Sequence, residues 1–106
     1  MDFINRFKEN LQLPLPGKIA QYEMAKNFRS RDEITAPSNA RIAGVLMLFY
    51  PKNEEWHIAL IRRRAHEKDP HSAQISFPGG KYEEEDGSLL HTALREAMEE
   101  TGVAPD

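Results

Sequence analysis

The chain has no cysteine among its 106 residues, so disulfide bonds, thiolate nucleophiles and cysteine-based metal sites are excluded. No stretch reaches the roughly 18 apolar residues that span a bilayer, and the N-terminus lacks the basic start and apolar run of a secretory signal. A strong charge of one sign is also absent. The net charge of −3 gives no global electrostatic reason to expect a nucleic-acid or membrane partner. We therefore expect a cytoplasmic protein with neither of these partners.

The composition is that of a folded domain. Hydrophobic residues make up 40% of the chain and charged residues 29%, which argues against disorder, and the length suits one small domain. We predict a single domain over residues 1–106. Its N-terminal segment, residues 1–39, should be helical, because Phe3, Phe7 and Leu11 recur at helical spacing. Residues 40–103 should form a sheet and a final helix.

The second part of the chain carries strand signals. The apolar run 42–50 predicts a central strand that is buried on both faces and ends at Pro51. Residues 56–61 predict a second strand, so that the two form a hairpin. A short strand at 74–77 should run into the Pro-Gly-Gly at 78–80. The last helix should cover residues 89–101, with Ser88 as N-cap and Gly102 as its C-terminal stop.

Three glutamates of this last helix, Glu96, Glu99 and Glu100, lie at positions i, i+3 and i+4 and so share one face. Like charges at this spacing destabilise a helix by about 0.2–0.5 kcal/mol per pair, so helix stability does not require them. Carboxylates are ligands that suit Mg²⁺ or Mn²⁺, although a solvated acidic surface is the common alternative. Two neighbours favour a functional site: Gly79-Gly80 lets backbone carbonyls approach a ligand, and Arg95 can orient carboxylates.

Residues 80–103 resemble the Nudix box, which reads Gly, five residues, Glu, seven residues, then Arg-Glu-apolar-x-Glu-Glu-x-Gly-apolar. The second half, from Arg95 to Val103, agrees at every fixed position. The first half departs, because Asp86 stands where the box has Glu and one extra residue separates it from Arg95. Asp86 could cap the helix or join the metal site. By this resemblance the chain is identified as a member of the Nudix hydrolase superfamily.

Other motifs are similar to the coenzyme A pyrophosphatase branch of that superfamily. They are Phe-Pro-Gly-Gly-Lys at 77–81, Asp-Gly-Ser at 86–88 and Thr-Ala-Leu-Arg-Glu-Ala at 92–97. An upstream element of the branch is matched in part, since Arg62, Asp69 and Ala73 replace its Thr, second Arg and Gly. The resemblance implies that coenzyme A, or a related nucleoside diphosphate derivative, is the small-molecule substrate, and that the products are 3′,5′-ADP and 4′-phosphopantetheine. ADP-ribose or another nucleotide is the alternative.

The resemblance also assigns roles to residues. The implied metal ligands for Mg²⁺ or Mn²⁺ are Glu96, Glu99 and Glu100, which with Arg95 make up the implied catalytic set. The candidate substrate-binding residues are Arg64, which matches the upstream element, Gly79 and Gly80, and also His71, which the resemblance does not assign. A guanidinium suits phosphate oxygens, but a solvated strand end is the alternative for Arg64, and a plain loop histidine for His71. Which carboxylate acts as the general base is left open.

The fold implied by the resemblance is a Nudix-type α/β/α sandwich with a mixed sheet, an α/β fold. That fold continues past the box with further strands and a helix, whereas this chain stops at Asp106. We therefore expect a domain truncated after the box helix, with its C-terminal part missing. An incomplete sheet leaves an open edge and an apolar face, through which the chain could form a homodimer. Alone it could be inactive, so a non-catalytic nucleotide- or metal-binding fragment is the third hypothesis.

Overall fold

The structure, a computed structural model, describes residues 2–24, 36–65, 67–68 and 73–106. The chain divides into two compact units, Met1–Pro37 and Ser38–Asp106. The described residues form three α-helices and six short β-strands, so the predicted α/β class is confirmed. The single domain with a division at residue 39 stays a prediction. Among the described helices, none combines the length and apolar character needed to cross a bilayer.

The first unit contains helices α1, Asp2–Asn10, and α2, Gly17–Met24. Helix α1 carries an acidic residue at its N-terminal turn and a basic one at its C-terminal turn, which is the favourable order along a helix dipole. The rings of Phe3 and Phe7, one turn apart, stack with their centroids 6.0 Å apart. The amphipathic helix predicted from their spacing is therefore present. The part of the predicted helical segment at residues 25–35 lies outside the described residues.

The second unit contains the predicted hairpin, with β2 at Phe49–Lys52 and β3 at Glu55–Ile58. Asn53 and Glu54 connect them with φ angles of 52° and 64°. Two consecutive residues with positive φ are typical of the tight turns that match the twist of paired strands. The connection is thus shorter than the interval of residues 51–55 that separates the two predicted strands.

Pro51 lies inside β2, opposite Trp56, so the prediction that it ends the strand is wrong. The Ala59 N–H donates to the Leu48 carbonyl at 2.9 Å, which marks a hydrogen-bonded pair. Such pairs alternate with non-hydrogen-bonded pairs along an antiparallel ladder. Counting from this bond places Pro51 in a non-hydrogen-bonded pair, where the missing N–H removes no ladder bond.

The apolar run 42–50 does not form one central strand, and that prediction is also wrong. Strand β1 covers Ala43–Val45 and pairs antiparallel with β6, Gly79–Lys81. The chain then changes partner, because β2 pairs with β3 instead. One apolar run therefore serves two sheets. The expected burial on both faces fails as well, since Val45 is 64% exposed and Met47 49%.

The remaining strands are short. The predicted strand at 74–77 appears as β5, Ile75–Ser76, and pairs with β4, Ile61–Arg62. The glycine pair, predicted to follow a strand, is itself part of β6. Strand β6 is thereby held by β1 on one side, and its other edge is available to side chains of the last helix.

Helix α3 covers Leu89–Thr101, as predicted. The Ser88 hydroxyl accepts the His91 N–H at 3.1 Å, so Ser88 is the N-cap. Gly102 ends the helix with a φ of 78° and donates its N–H to the Met98 carbonyl, which is the left-handed helix stop that favours glycine. Both predicted ends are confirmed.

Helix α3 packs on β1 and β6 through small residues. Ala93 and Ala97 are 5% and 2% exposed, and they are the buried hydrophobic core of the described residues. Gly44 of β1 is buried beneath the helix. A Cβ at Gly44 would lie 2.7 Å from the Leu89 carbonyl oxygen and 3.2 Å from the Ala93 nitrogen. The absence of side-chain bulk lets the helix approach the strands closely and sets the position of its glutamates.

Candidate active site

Strand β6 orients the backbones of its two glycines differently. The bonds that flank the strand run from the Leu46 N–H to the Pro78 carbonyl at 2.8 Å and from the Tyr82 N–H to the Ile42 carbonyl at 2.9 Å. Alternation along the ladder makes Gly80 and its partner Gly44 a hydrogen-bonded pair. The N–H and carbonyl of Gly79 therefore point away from β1, to the outer edge of the sheet.

Side chains of α3 pair with this outer edge. Glu100 Oε1 accepts the Gly79 N–H at 2.9 Å, and Arg95 Nη2 donates to the Lys81 carbonyl at 3.1 Å. An unpaired backbone group at a strand edge has to be satisfied by a side chain or by water. These two bonds do so, and they fix α3 lengthwise against β6.

Glu96 lies directly over Gly80. A Cβ at Gly80 would lie 2.7 Å from each of the two carboxylate oxygens of Glu96, closer than real Cβ contacts occur. The glycine therefore provides the space in which the carboxylate sits. This is a steric role for Gly80, whereas Gly79 contributes backbone polar groups at the edge.

Arg95 links two of the three glutamates. Its Nη1 donates to Glu96 Oε1 at 3.0 Å and to Glu99 Oε1 at 3.3 Å. The orienting role expected for Arg95 thus has a direct structural counterpart. Each of these two bonds involves one oxygen of its carboxylate and does not involve the other oxygen.

Asp86 holds the other side of the Arg95 guanidinium. Its Oδ1 accepts from Arg95 Nε at 2.7 Å and its Oδ2 from Arg95 Nη2 at 3.0 Å, a bidentate arrangement that is strong and directional. Asp86 Oδ2 also accepts from the Thr92 hydroxyl at 2.9 Å and from the Glu83 N–H at 3.0 Å. The Asp86 side chain is only 5% exposed.

These contacts determine the charge state of the pair. The hydrogen bonds from Arg95, followed by that from the Glu83 backbone, hold the pKa of Asp86 well below its ordinary value. The same pairing raises the pKa of Arg95 above its usual range. Asp86 does not cap α3, whose N-cap is Ser88; together with Glu83 it closes a capping box on the 3₁₀ helix Glu84–Asp86 instead.

Two cavities gather most of the predicted site residues. The first has a volume of about 710 Å³, and its lining includes Gly79, Gly80, Glu96 and Glu100. The second, of about 590 Å³, is lined by residues that include Arg64, Glu99 and Glu100. Ile61, Arg63 and Glu100 line both cavities, so the two cavities adjoin each other. Arg64 lies in the second cavity and the glycine pair in the first, and glutamates line both.

Not every predicted contact is present. Within the described residues, no three histidine, aspartate or glutamate side chains are grouped so that they could hold a metal ion. The bonds above give the reason: Glu96 and Glu99 turn to Arg95, and Glu100 turns to the Gly79 N–H. His71 lies outside the described residues.

The first cavity is also lined by cations that were not predicted as site residues. Arg41, Arg63 and Lys81 contribute to its lining. Lys81 could have been singled out by its place directly after the glycine pair. The sequence around Arg41 carries no comparable signal, because only the pairing of β1 with β6 brings it near the glutamates.

Comparison with known proteins identifies the family. The model of the NUDIX domain matches residues 38–106, which is well over half of the chain, so the chain belongs to the Nudix family. This confirms the membership predicted from the box.

Relatives agree with this membership. The chain is 38% identical over 102 residues to proteins named "Uncharacterized Nudix hydrolase NudL" from Yersinia pestis (strain Pestoides F) and Yersinia pseudotuberculosis serotype O:1b (strain IP 31758). A protein of the same name from Yersinia pestis bv. Antiqua (strain Angola) matches equally. Each match covers 96% of this chain but 44% of the relative, so the chain spans less than half the length of these relatives.

Proposed function

We propose that this chain carries the metal-binding catalytic segment of a Nudix pyrophosphohydrolase, which hydrolyses the pyrophosphate bond of a nucleoside diphosphate derivative with Mg²⁺ or Mn²⁺. One observation carries the proposal: Glu96, Glu99 and Glu100 line two cavities that meet at Glu100, beside the outer edge of β6. Family membership supports the reaction class, and the arrangement of the carboxylates supports this part of the chain as its site.

The donor chemistry suits a hard divalent cation, which Glu96, Glu99 and Glu100 would hold on turning away from Arg95 and the Gly79 N–H. Carboxylate oxygens are the protein ligands that Mg²⁺ and Mn²⁺ prefer, and three side chains bring them to one region. The carbonyl of Gly79 also points to this edge, whereas that of Gly80 is used in the ladder with β1. Glu96, Glu99 and Glu100 would hold the metal, and the Gly79 carbonyl could complete the set. When bound, such a metal neutralises the diphosphate and lowers the pKa of a water molecule.

The chain's own residues position the carboxylates and neutralise charge on the phosphoryl group. Arg95 holds the carboxylates of Glu96 and Glu99 through one nitrogen, at 3.0 Å and 3.3 Å, and Asp86 holds Arg95 from behind at 2.7 Å. Arg64 lines the second cavity together with Glu99 and Glu100, and its guanidinium suits a phosphoryl oxygen. Positioning and charge stabilisation of this kind provide most of the catalysis in phosphoryl transfer.

Coenzyme A is the substrate that the motifs favour. Phe77-Pro78-Gly79-Gly80-Lys81 and the Asp-Gly-Ser at 86–88 are similar to the coenzyme A pyrophosphatase branch, and hydrolysis would give 3′,5′-ADP and 4′-phosphopantetheine. The substitution of Asp69 for the second arginine of the upstream element favours ADP-ribose or another nucleotide as the second candidate.

A substrate panel with matched variants tests the proposal. Hydrolysis of coenzyme A and of ADP-ribose is measured with Mg²⁺ or Mn²⁺ for the chain, for Glu99→Gln and Glu100→Gln, and for Glu54→Gln. Glu54 lies in the exposed β2–β3 turn, so its substitution removes the same charge outside the proposed site. We expect the first two substitutions to lower kcat by about 100-fold or more, because a misplaced reacting group has an effect of that size, and Glu54→Gln to leave kcat unchanged.

The outcomes separate the hypotheses. Turnover of ADP-ribose without turnover of coenzyme A would reject the coenzyme A assignment and keep the hydrolase. Nucleotide or Mn²⁺ binding without turnover of any substrate would identify a non-catalytic module. Full activity in Glu99→Gln and Glu100→Gln would remove the metal assignment.

A further inference from the structure

The cavity that contains Glu96 and Glu100 is lined by charges of both signs. Arg41 and Lys81 belong to its lining, together with Arg63. Carboxylates and cations that line one cavity suit a ligand with several oxygen atoms. Some of these oxygens would bind a metal held by the carboxylates, and others would bind the cations.

The register of β1 and β6 places Arg41 and Lys81 side by side. Lys81 lies opposite Ala43 in the β1–β6 ladder, and Arg41 precedes Ala43 by two residues. Side chains two residues apart on an extended chain share a face. Arg41 and Lys81 are therefore diagonal neighbours, a relation in which residues lie about 7–8 Å apart.

The same register separates the cations from the carboxylates. Gly80 faces α3, because a Cβ there would meet Glu96, so its neighbour Lys81 lies on the opposite face of the strand. The cavity thus extends around the outer edge of β6, with carboxylates on the α3 side and cations on the other.

Two like charges side by side are unfavourable unless something lies between them. Neither the Arg41 side chain nor that of Lys81 bonds to another residue in the part of the chain that the structure describes. Neighbouring cations of this kind are suited to an anion, whose oxygens can accept from both, and guanidinium and ammonium groups are the usual phosphate ligands.

We propose that Arg41 and Lys81 form a phosphate-binding subsite that holds a phosphate group of the substrate across the edge of β6 from Glu96 and Glu100. The identification of the anion as a substrate phosphate rests on the proposed function. The subsite itself rests on the register and on the shared cavity. The phosphate can belong to the pyrophosphate or to the ribose 3′-phosphate of a coenzyme A-like substrate.

Calorimetric titration without metal tests the subsite apart from turnover. The chain is titrated in EDTA at low ionic strength with inorganic pyrophosphate and, separately, with 3′,5′-ADP. We expect Arg41→Gln and Lys81→Gln each to weaken binding about tenfold, the loss of one charge-assisted bond, and Arg41→Lys to retain most of the affinity. Lys52→Gln is the control, since Lys52 is an exposed cation of the hairpin outside the cavity lining. Thermal unfolding of each variant checks that it is folded.

Each result bears on the proposal. Weakened binding of both probes assigns the subsite to the pyrophosphate, and weakened binding of 3′,5′-ADP alone assigns it to the ribose phosphate. Unchanged affinity in folded Arg41→Gln and Lys81→Gln, equal weakening by Lys52→Gln, or no binding of either probe by the unaltered chain would overturn it. A chain that binds anions through these residues yet hydrolyses no substrate would refute the proposed function and keep the subsite.

Discussion

Replacement of Gly80 by alanine should impair the site without damaging the fold. The added Cβ would lie 2.7 Å from both carboxylate oxygens of Glu96. The φ of Gly80 is not in the left-handed region, so alanine can adopt the backbone without strain. The atoms that have to move are the end of a flexible side chain, and the free energy of unfolding should change by less than about 0.5 kcal/mol, as at ordinary tolerant positions.

The displacement can be sized from the structure. Ordinary van der Waals contact with a Cβ begins near 3.4 Å, and the Glu96 Cδ would lie closer to the added Cβ than its oxygens, so the carboxylate must retreat by about 1 Å, or rotate away entirely. A misplacement of about 1 Å can lower a catalysed rate by roughly 100-fold. Loss of ligand orientation typically lowers metal affinity by about 10–100-fold. We expect Gly80→Ala to lose at least tenfold in Mn²⁺ affinity and about 100-fold in kcat.

Gly44→Ala is the matched control, with the opposite expected result. Its Cβ would meet the Leu89 carbonyl oxygen at 2.7 Å and the Ala93 nitrogen at 3.2 Å, which are backbone atoms of α3 and cannot rotate away. Overpacking of this kind lowers the free energy of unfolding by about 1–3 kcal/mol. The whole helix has to shift, so stability should fall first.

Two measurements on the same samples separate these effects. Urea unfolding followed by circular dichroism gives stability, and water-proton relaxation in a Mn²⁺ titration gives metal affinity. Gly80→Ala should keep its free energy of unfolding and bind Mn²⁺ weakly, whereas Gly44→Ala should have a lower free energy of unfolding. If Gly80→Ala binds Mn²⁺ as tightly as the unaltered chain, the conclusion that Gly80 provides the space for a metal-binding Glu96 is refuted.

Other predictions concern the supports of α3. Ser88→Ala removes the N-cap and should lower the free energy of unfolding by about 1 kcal/mol in a urea titration; no change would mean that the cap is dispensable. Gly102→Ala places a side chain at a φ of 78° and should be destabilising by about 1 kcal/mol in the same assay. Because the pKa of Asp86 is lowered on folding, its ionised form stabilises the fold above the unfolded pKa of about 3.9, and this stabilisation is lost as the pH falls toward the folded pKa. The stability difference between the chain and Asp86→Asn should therefore be constant from about pH 5 to 8 and shrink below about pH 4; a difference that grows on acidification would contradict the ion pair.

The last helix could be predicted almost completely from the sequence because its signals are local. Ser88 satisfies N-terminal amides, Gly102 takes the left-handed conformation, and the glutamate spacing is visible without any tertiary contact. Membership of the Nudix family followed from the same segment for the same reason. Such features depend on residues one to four positions apart, where the chain geometry is fixed by the helix itself.

Non-local pairing explains most of what the sequence did not reveal. The run 42–50 is uniformly apolar, and nothing in it marks the point where the chain leaves β6 and joins β3. Whether a strand can accommodate Pro51 depends in turn on the register of the β2–β3 pair. Arg41 lines the same cavity as Glu96 and Glu100 because β1 lies against β6, a contact between residues nearly forty positions apart. Pattern alone identifies strands but not their partners.

The same small residues that let α3 approach β1 and β6 also determine where its carboxylates stand. Gly44 and Ala93 remove bulk between helix and strand, and the bonds of Glu100 to Gly79 and of Arg95 to Lys81 then fix the helix lengthwise. A substitution that thickens this interface would raise the helix and move Glu96 and Glu100 together. Loss of stability and loss of metal affinity should therefore be correlated across variants of the interface, whereas Gly80→Ala should break that correlation, because it displaces one carboxylate and leaves the helix in place.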